Sequence, residues 1–247
     1  MQPIKLYTWS TPNGFKVHTL CEELKNDYPD FKYEVVPVDI GKNTQKEDWF
    51  LKINPNGRIP AIVDPNQGDF AVFETAAILL WLEKYYDKDH KYSWPSTDTN
   101  ADKYRSEVLQ WIFFVHGGVG PMQGQLNHFR MQAVGDSKNV VPYAYTRYLN
   151  ETKRLYDVLE LRLKDRDWLV GEGRGKYSIA DMNAFGWVAI HGFSGIPRSE
   201  LPPGVKRWVD NNWARPAVKK AVQLPQQSGF MKNIMEDPEW VADRPQL

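Results

Sequence analysis

Residues 4–9 (IKLYTW) form a short, apolar, β-rich run, the pattern of a buried strand. From Gly14 the period changes. Phe15, Val17, Leu20, Cys21 and Leu24 recur at helical spacing, which predicts a helix over residues 14–26 that Pro29 prevents from continuing. Residues 33–38 (YEVVPV) read as a second strand. Its proline cannot donate to a ladder and so belongs at a sheet edge. Residues 47–53 allow one or two helical turns before the turn signal NPNG. Two short strands, 61–63 and 70–73, flank the loop DPNQGD at hairpin spacing, and a strongly amphipathic helix follows over residues 75–86. The order β-α-β-α-β-β-α closes a compact unit.

Beyond it the pattern turns helical. Residues 88–100 are polar, contain a proline and lack periodicity, as a linker does. A long helix is predicted from residue 101 through 117 to about 131, interrupted where Gly117, Gly118, Gly120 and Pro121 crowd together. Further helices are expected over 142–164, 178–192, 205–212 and 214–222. Residues 226–247 show little pattern and are expected to lie as a tail over the surface. The expected organisation is therefore an α/β domain (1–87), a linker (88–100), an all-helical domain (101–225) and a C-terminal tail (226–247).

Composition narrows the function classes. Lys+Arg and Asp+Glu both number 31, and no basic stripe breaks that balance, so no nucleic-acid partner is expected. No apolar run approaches the roughly 20 residues of a spanning helix, which predicts no membrane role. The N-terminus MQPIKLYTW lacks a basic region followed by an apolar stretch, and one cysteine cannot form an internal disulfide; both suit a reducing, cytoplasmic setting. The 5 histidines are scattered without ligand spacing, so no metal is expected. Neither a Gly-x-Ser-x-Gly elbow nor a phosphate loop is present.

Three stretches can carry chemistry. The cluster Ser10-Thr11-Pro12-Asn13-Gly14 stands where a strand hands over to a helix, a place for caps and turns and also for an anion. In GRIPAIVD, Pro60 directly precedes a strand, and a cis bond there would present the backbone of Ile59 to an extended ligand. In FETAAILLWL, Glu74 and Thr75 occupy a strand-to-helix junction. Thr75 is either a plain N-cap or, with the helix N-terminus, a carboxylate binder, while Glu74 could take an ammonium group. A fourth motif, YSIADMNAF, has the capping-box spacing Ser178 to Asp181 and reads as structural. Cys21, on the apolar face of the first helix, reads as a small hydrophobe.

Taken in order, NPNGRIPAIVD, FETAAILLWL, a linker, a helical domain and YSIADM resemble the cytosolic glutathione transferases. TPNGFKV, DIGKNTQ, GPMQGQLNHF and YAYTRYLNETKRLYDVL resemble the bacterial nu class and the fungal members related to the yeast nitrogen-catabolite regulator. The resemblance implies a thioredoxin-like N-terminal domain followed by a helical glutathione-transferase domain. It implies that Asn13 and Thr11 face the glutathione sulfur, with Ser10 as rival, and that Gln45 contacts the glycyl end. Ile59, before a cis Pro60 and beside Arg58, would pair with the cysteinyl unit, and Glu74 and Thr75 would hold the γ-glutamyl group. Arg147 would reach a carboxylate, and a homodimer is implied. Many relatives activate the thiol with Tyr, Ser or Cys. Tyr7 lies within the first strand, and no cysteine lies in the first turn.

A thiolate near such donors needs no general base. An amide, a hydroxyl and a helix N-terminus can supply the roughly 1.4 kcal/mol required per unit of pKa depression. The expected activity is attack by glutathione on electrophiles, with glutathione-dependent disulfide reductase or peroxidase activity beside it. A hydrophobic or disulfide second substrate would lie over the interrupted helix against Trp111, Phe114, Val115, Val119, Met122 and Phe129, side chains that can equally be inter-helix core. The alternative is a non-enzymatic regulator or ligand carrier with the same fold.

Overall fold

The apolar run near the start is strand β1 (Ile4–Thr8), with Ile4, Leu6 and Thr8 buried. It pairs in parallel with β2 (Tyr33–Pro37) and antiparallel with β3 (Ala61–Asp64), which pairs antiparallel with β4 (Phe70–Phe73). The strand order is β2-β1-β3-β4, so Pro37 does stand on an edge strand. Helices α1 (Pro12–Asp27), α2 (Asp48–Leu51) and α3 (Thr75–Tyr86) complete a thioredoxin-like arrangement. The remaining helices are α4 (Ala101–Phe114), α5 (Gly120–Gly135), α6 (Pro142–Leu163), α7 (Ile179–Val188), α8 (Pro203–Trp213), α9 (Pro216–Ala221) and α10 (Gly229–Glu236). These elements come from a computed structural model that describes residues 1–135 and 141–243.

Two compact units result: Met1–Arg105 with Trp213–Ser228, and Ser106–Asn212 with Gly229–Leu247. Sequence order placed all of 101–225 in the helical domain; α9 instead returns to the first unit and packs against α1, as α3 does. This explains why α1 is buried from Gly14 through Leu24, polar residues included, rather than along one stripe. Its polar side chains are tied to what surrounds it. His18 Nδ1 donates to the carbonyl of Ala221 at 3.0 Å. A carbonyl only accepts, so Nε2 is the acceptor, and the Thr8 hydroxyl donates to it at 2.9 Å. Glu23 accepts from Arg215 and from the Tyr92 hydroxyl.

In the helical unit the run between α4 and α5 is not broken. Residues Val115–Val119 widen into a π-helical segment. A Cβ on Gly118 would come within 3.1 Å of Leu155 Cδ2, and one on Gly120 within 2.9 Å of the Trp187 indole nitrogen. These glycines admit neighbouring side chains, so the expected opening is filled. Val115 and Val119 are sealed in the core, which corrects their placement as substrate walls.

Ser178 and Asp181 do form a capping box at the start of α7: Ser178 Oγ accepts from the Ala180 amide at 3.3 Å, and the Asp181 carboxylate accepts from the Ser178 amide at 3.1 Å. Asp181 also accepts from the Leu169 amide at 3.0 Å and Trp208 Nε1 at 2.9 Å. Burial pushes its carboxyl up to about 6. The expected patternless tail is corrected as well. It contains α10, whose Met231 and Ile234 are buried, and the Ala242 amide donates to the Gly192 carbonyl at 2.9 Å. Residues 244–247 of that tail lie outside the described residues. Among the described residues no helix is long and apolar enough to cross a membrane.

Burial lowers the His18 pKa from 6.5 to about 4, so between those values the unfolded chain binds the proton more readily than the folded one. The contribution of His18 to stability is therefore present above about pH 6.5 and is lost as pH falls towards 4, at up to about 1.4 kcal/mol per pH unit. Urea denaturation at pH 7.5 and pH 5 should show this loss, and His18→Gln should flatten it.

Candidate functional site

The strand register assembles the site. Thr8 stands opposite Pro37, Tyr7 opposite Ala61, and Ala61 opposite Phe73. Consequently the ends of β1, β2 and β4 and the beginning of β3 lie along one end of the sheet. The segments that continue from them carry Ser10, Thr11 and Asn13; Gln45; Arg58, Ile59 and Pro60; and Glu74 and Thr75. All the residues expected to meet glutathione in this unit are thus brought to the same end.

Each segment is shaped by local chemistry. Thr11 is the N-cap of α1, in extended conformation, and its hydroxyl accepts from the Gly14 amide at 3.1 Å. That hydroxyl still has a proton to donate. Pro12 occupies the first helical position, where its missing N–H costs nothing, and Asn13 follows, half-buried. Ser10 differs from both. It is buried, and its hydroxyl meets the carbonyls of Leu224, at 3.2 Å, and Gln226. Its proton anchors the 213–228 segment to the end of β1.

Asn54 organises the approach to β3. Its Nδ2 donates to the Arg58 carbonyl at 2.7 Å, and its Oδ1 accepts from the Asn56 amide at 3.0 Å. Gly57 has φ 58, and a Cβ there would lie 2.9 Å from the Gln45 carbonyl oxygen, so a side chain is excluded on both counts. The Ile59–Pro60 bond is cis. Gln45 donates from Nε2 to Asn43 at 3.4 Å, while its Oε1 is buried without a partner among the described residues.

At the β4–α3 junction the N-cap is Glu74, with φ 70 and no capping hydrogen bond from its side chain. Thr75 is therefore the first helical residue, which corrects its reading as a plain N-cap. A non-glycine residue at positive φ costs of order 1–3 kcal/mol and is retained where geometry matters. Glu74 is exposed, and Thr75 is buried at the positive end of α3.

A further charge escaped the sequence reading. Lys16, on α1, is only 1% exposed, and burial lowers its pKa to about 7. It lies between Phe15 and Val17 with the spacing of an ordinary solvated lysine, so only the packing of α1 identifies it. Cys21 is also buried, and burial pushes its thiol up, away from any nucleophilic role.

In the helical unit Trp111, Phe114, Met122 and Phe129 are half-buried. Phe129 stacks on Tyr148 with ring centroids 5.6 Å apart, and Trp111 meets Phe114 edge-on at 5.5 Å. Arg147 is exposed and lines a cavity of about 560 Å³ together with Met122, Tyr143, Tyr148, Glu151 and Arg154. The described residues contain no cluster of three or more potential metal ligands.

The profile of the family described as "Glutathione S-transferase, N-terminal domain" matches residues 2–84, and that of "Glutathione S-transferase, C-terminal domain" matches residues 143–216. The chain is 39% identical over 223 residues to the disulfide-bond oxidoreductase YfcG of Escherichia coli, covering 89% of this chain and 94% of that protein. It is 36% identical to the glutathione S-transferase-like protein tpcF of Aspergillus fumigatus, covering 90% and 96%. Among solved structures, a glutathione transferase homolog from Lodderomyces elongisporus with two glutathione molecules per subunit shares 38% identity, with a TM-score of 0.77 and coverage of 91% and 100%. With full-length relatives of this identity, and with the thioredoxin-like sheet and helical unit in place, the chain belongs to the glutathione transferase family.

Proposed function

We propose that this chain binds glutathione at the end of its four-stranded sheet and stabilises the thiolate for attack on an electrophile or a disulfide. The observation that carries this reading is the register Tyr7–Ala61–Phe73, which sets the N-termini of α1 and α3 at the same end of the sheet as the Ile59–Pro60 segment. An extended tripeptide with an anionic sulfur and a zwitterionic head matches that arrangement. Asn13 and Thr11, at the positive end of α1, serve the sulfur. Ile59 and Arg58 lie alongside the cysteinyl backbone, and Gln45 offers a buried acceptor, Oε1, to the glycyl amide N–H. Glu74 and Thr75 receive the γ-glutamyl group.

The chemistry is carried by stabilisation rather than by a base. Free thiols have a pKa of about 8.5, and a charge-assisted hydrogen bond with a helix terminus supplies about 1.5–3 kcal/mol, enough to lower it by one to two units. The chain's single cysteine is buried, so sulfur exchange runs on glutathione itself. The bound thiolate attacks a disulfide and releases one thiolate, and a second glutathione resolves the mixed disulfide as glutathione disulfide. The E. coli relative named as a disulfide-bond oxidoreductase supports this disulfide reaction beside transfer to electrophiles. Trp111, Phe114, Met122 and Phe129 offer an apolar surface to a hydrophobic or disulfide second substrate, and Arg147 a cation to a carboxylate. The fungal and bacterial relatives bound to glutathione support a place near the nu-class and fungal branch. Exposed Phe113 and Leu161 support a homodimer, and the lone reduced cysteine a cytoplasmic setting.

Three substitutions test the site. Asn13→Ala should lower kcat/KM towards a chromogenic electrophile by about 10- to 100-fold, the loss of one charge-assisted hydrogen bond, with little change in glutathione affinity. Unchanged kinetics would remove Asn13 from the role. Thr11→Val should cost both turnover and about 1 kcal/mol of stability, because it removes donor and cap together. Ser10→Ala should cost about 1 kcal/mol of stability through its lost anchor and leave turnover near wild type.

A further inference from the structure

Lys16 on α1 is buried without a hydrogen-bond or ion-pair partner among the described residues. It lies three residues after Asn13 and is 1% exposed. Taking an ammonium out of water without a partner is costly. The Glu74 carboxylate lies beyond ion-pair distance and favours the charged form of Lys16, against the burial that disfavours it. Since α1 packs against α3 and Glu74 is the N-cap of α3, the Lys16 ammonium lies on the side of the β4–α3 junction. There the N-terminus of α3, a helix of 12 residues, presents its positive end, and its N-cap side chain makes no capping bond.

A cation and a helix N-terminus on one side, with the exposed Glu74 carboxylate on the other, complement a zwitterion. An α-amino acid head carries both charges on one carbon. Resting on the glutathione reading above, we infer that the Lys16 ammonium receives the α-carboxylate of the γ-glutamyl group and so makes the site selective for ligands in which that carboxylate is free. Glu74 then takes the neighbouring ammonium, and Thr75 with the first amides of α3 shares the carboxylate. The carboxylate supplies the partner the lysine lacks and favours its charged form.

Isothermal titration with two ligands tests this. One is S-methylglutathione, which has no thiol to titrate. The other is its analogue with 4-aminobutyryl in place of γ-glutamyl, which lacks only the carboxylate. Lys16→Met should weaken S-methylglutathione by about 10- to 100-fold, the range of one charge-assisted hydrogen bond, and leave the analogue's affinity near wild type. Lys16→Arg should keep most of the preference for the carboxylate. Equal losses for both ligands in Lys16→Met would reduce Lys16 to a structural role and overturn the inference while sparing the glutathione reading. Failure of S-methylglutathione to bind the wild type would overturn both. The wild-type protein gives a test independent of any variant: at pH 7.5, in buffers of different ionisation enthalpy, S-methylglutathione should bind with uptake of a fraction of a proton. The analogue should bind without it, and equal uptake by the two ligands would overturn the assignment.

Discussion

The candidate site depends on one backbone constraint, the hydrogen-bonded row that sets Tyr7 opposite Ala61 and Ala61 opposite Phe73. Hydrogen bonding in the ladder makes this register all-or-none, because a slip of one residue would send every side chain of a strand to the opposite face. Three separate stretches of chain leave or enter the sheet at that row. One becomes the first turn of α1, one arrives through Ile59–Pro60, and one becomes α3. Their side chains need not contact one another to form a site. They need only continue from strands that are already in register.

A second constraint holds α1 in place. A helix packed by a sheet and one neighbour would show a single apolar stripe, but α1 is enclosed by α3 and α9 as well. Residues that would ordinarily face water must then be partnered inside. His18 bridges Thr8 and Ala221, Glu23 takes Arg215, and Ser10 takes the carbonyls of Leu224 and Gln226. These bonds fasten the 213–228 segment to the helix whose N-terminus faces the expected sulfur. Lys16 is the exception on the same helix, and a buried group without a partner is where a ligand's charge has the most to contribute.

Much of this was legible in local chemistry. The short apolar, β-rich run and the helical spacing after it marked β1 and α1, Pro37 marked an edge strand, and NPNG marked the turn that Asn54 organises. Ser178 and Asp181 announced a capping box because its partners lie three residues apart. Thr75 has the composition of an N-cap, but the backbone at Glu74 turns one residue earlier. Other readings failed where the deciding neighbour was distant in sequence. Gly118 and Gly120 have the composition of a break, but Leu155 and Trp187 fill the space beside them. Residues 229–236, expected to lie in a patternless tail, form α10 with Met231 and Ile234 buried.

The sequence by itself determined most of the elements and their order, the NPNG turn, the Ser178–Asp181 cap, and the family whose motifs they carry, because each of these rests on neighbours within a few residues. The tertiary structure decided which of three adjacent polar residues is committed elsewhere: Ser10 is held by carbonyls more than two hundred residues away, while Thr11 and Asn13 open the helix. It also decided that Lys16 is buried and not solvated. Burial and long-range hydrogen bonds are properties of the packed chain, and no local pattern contains them.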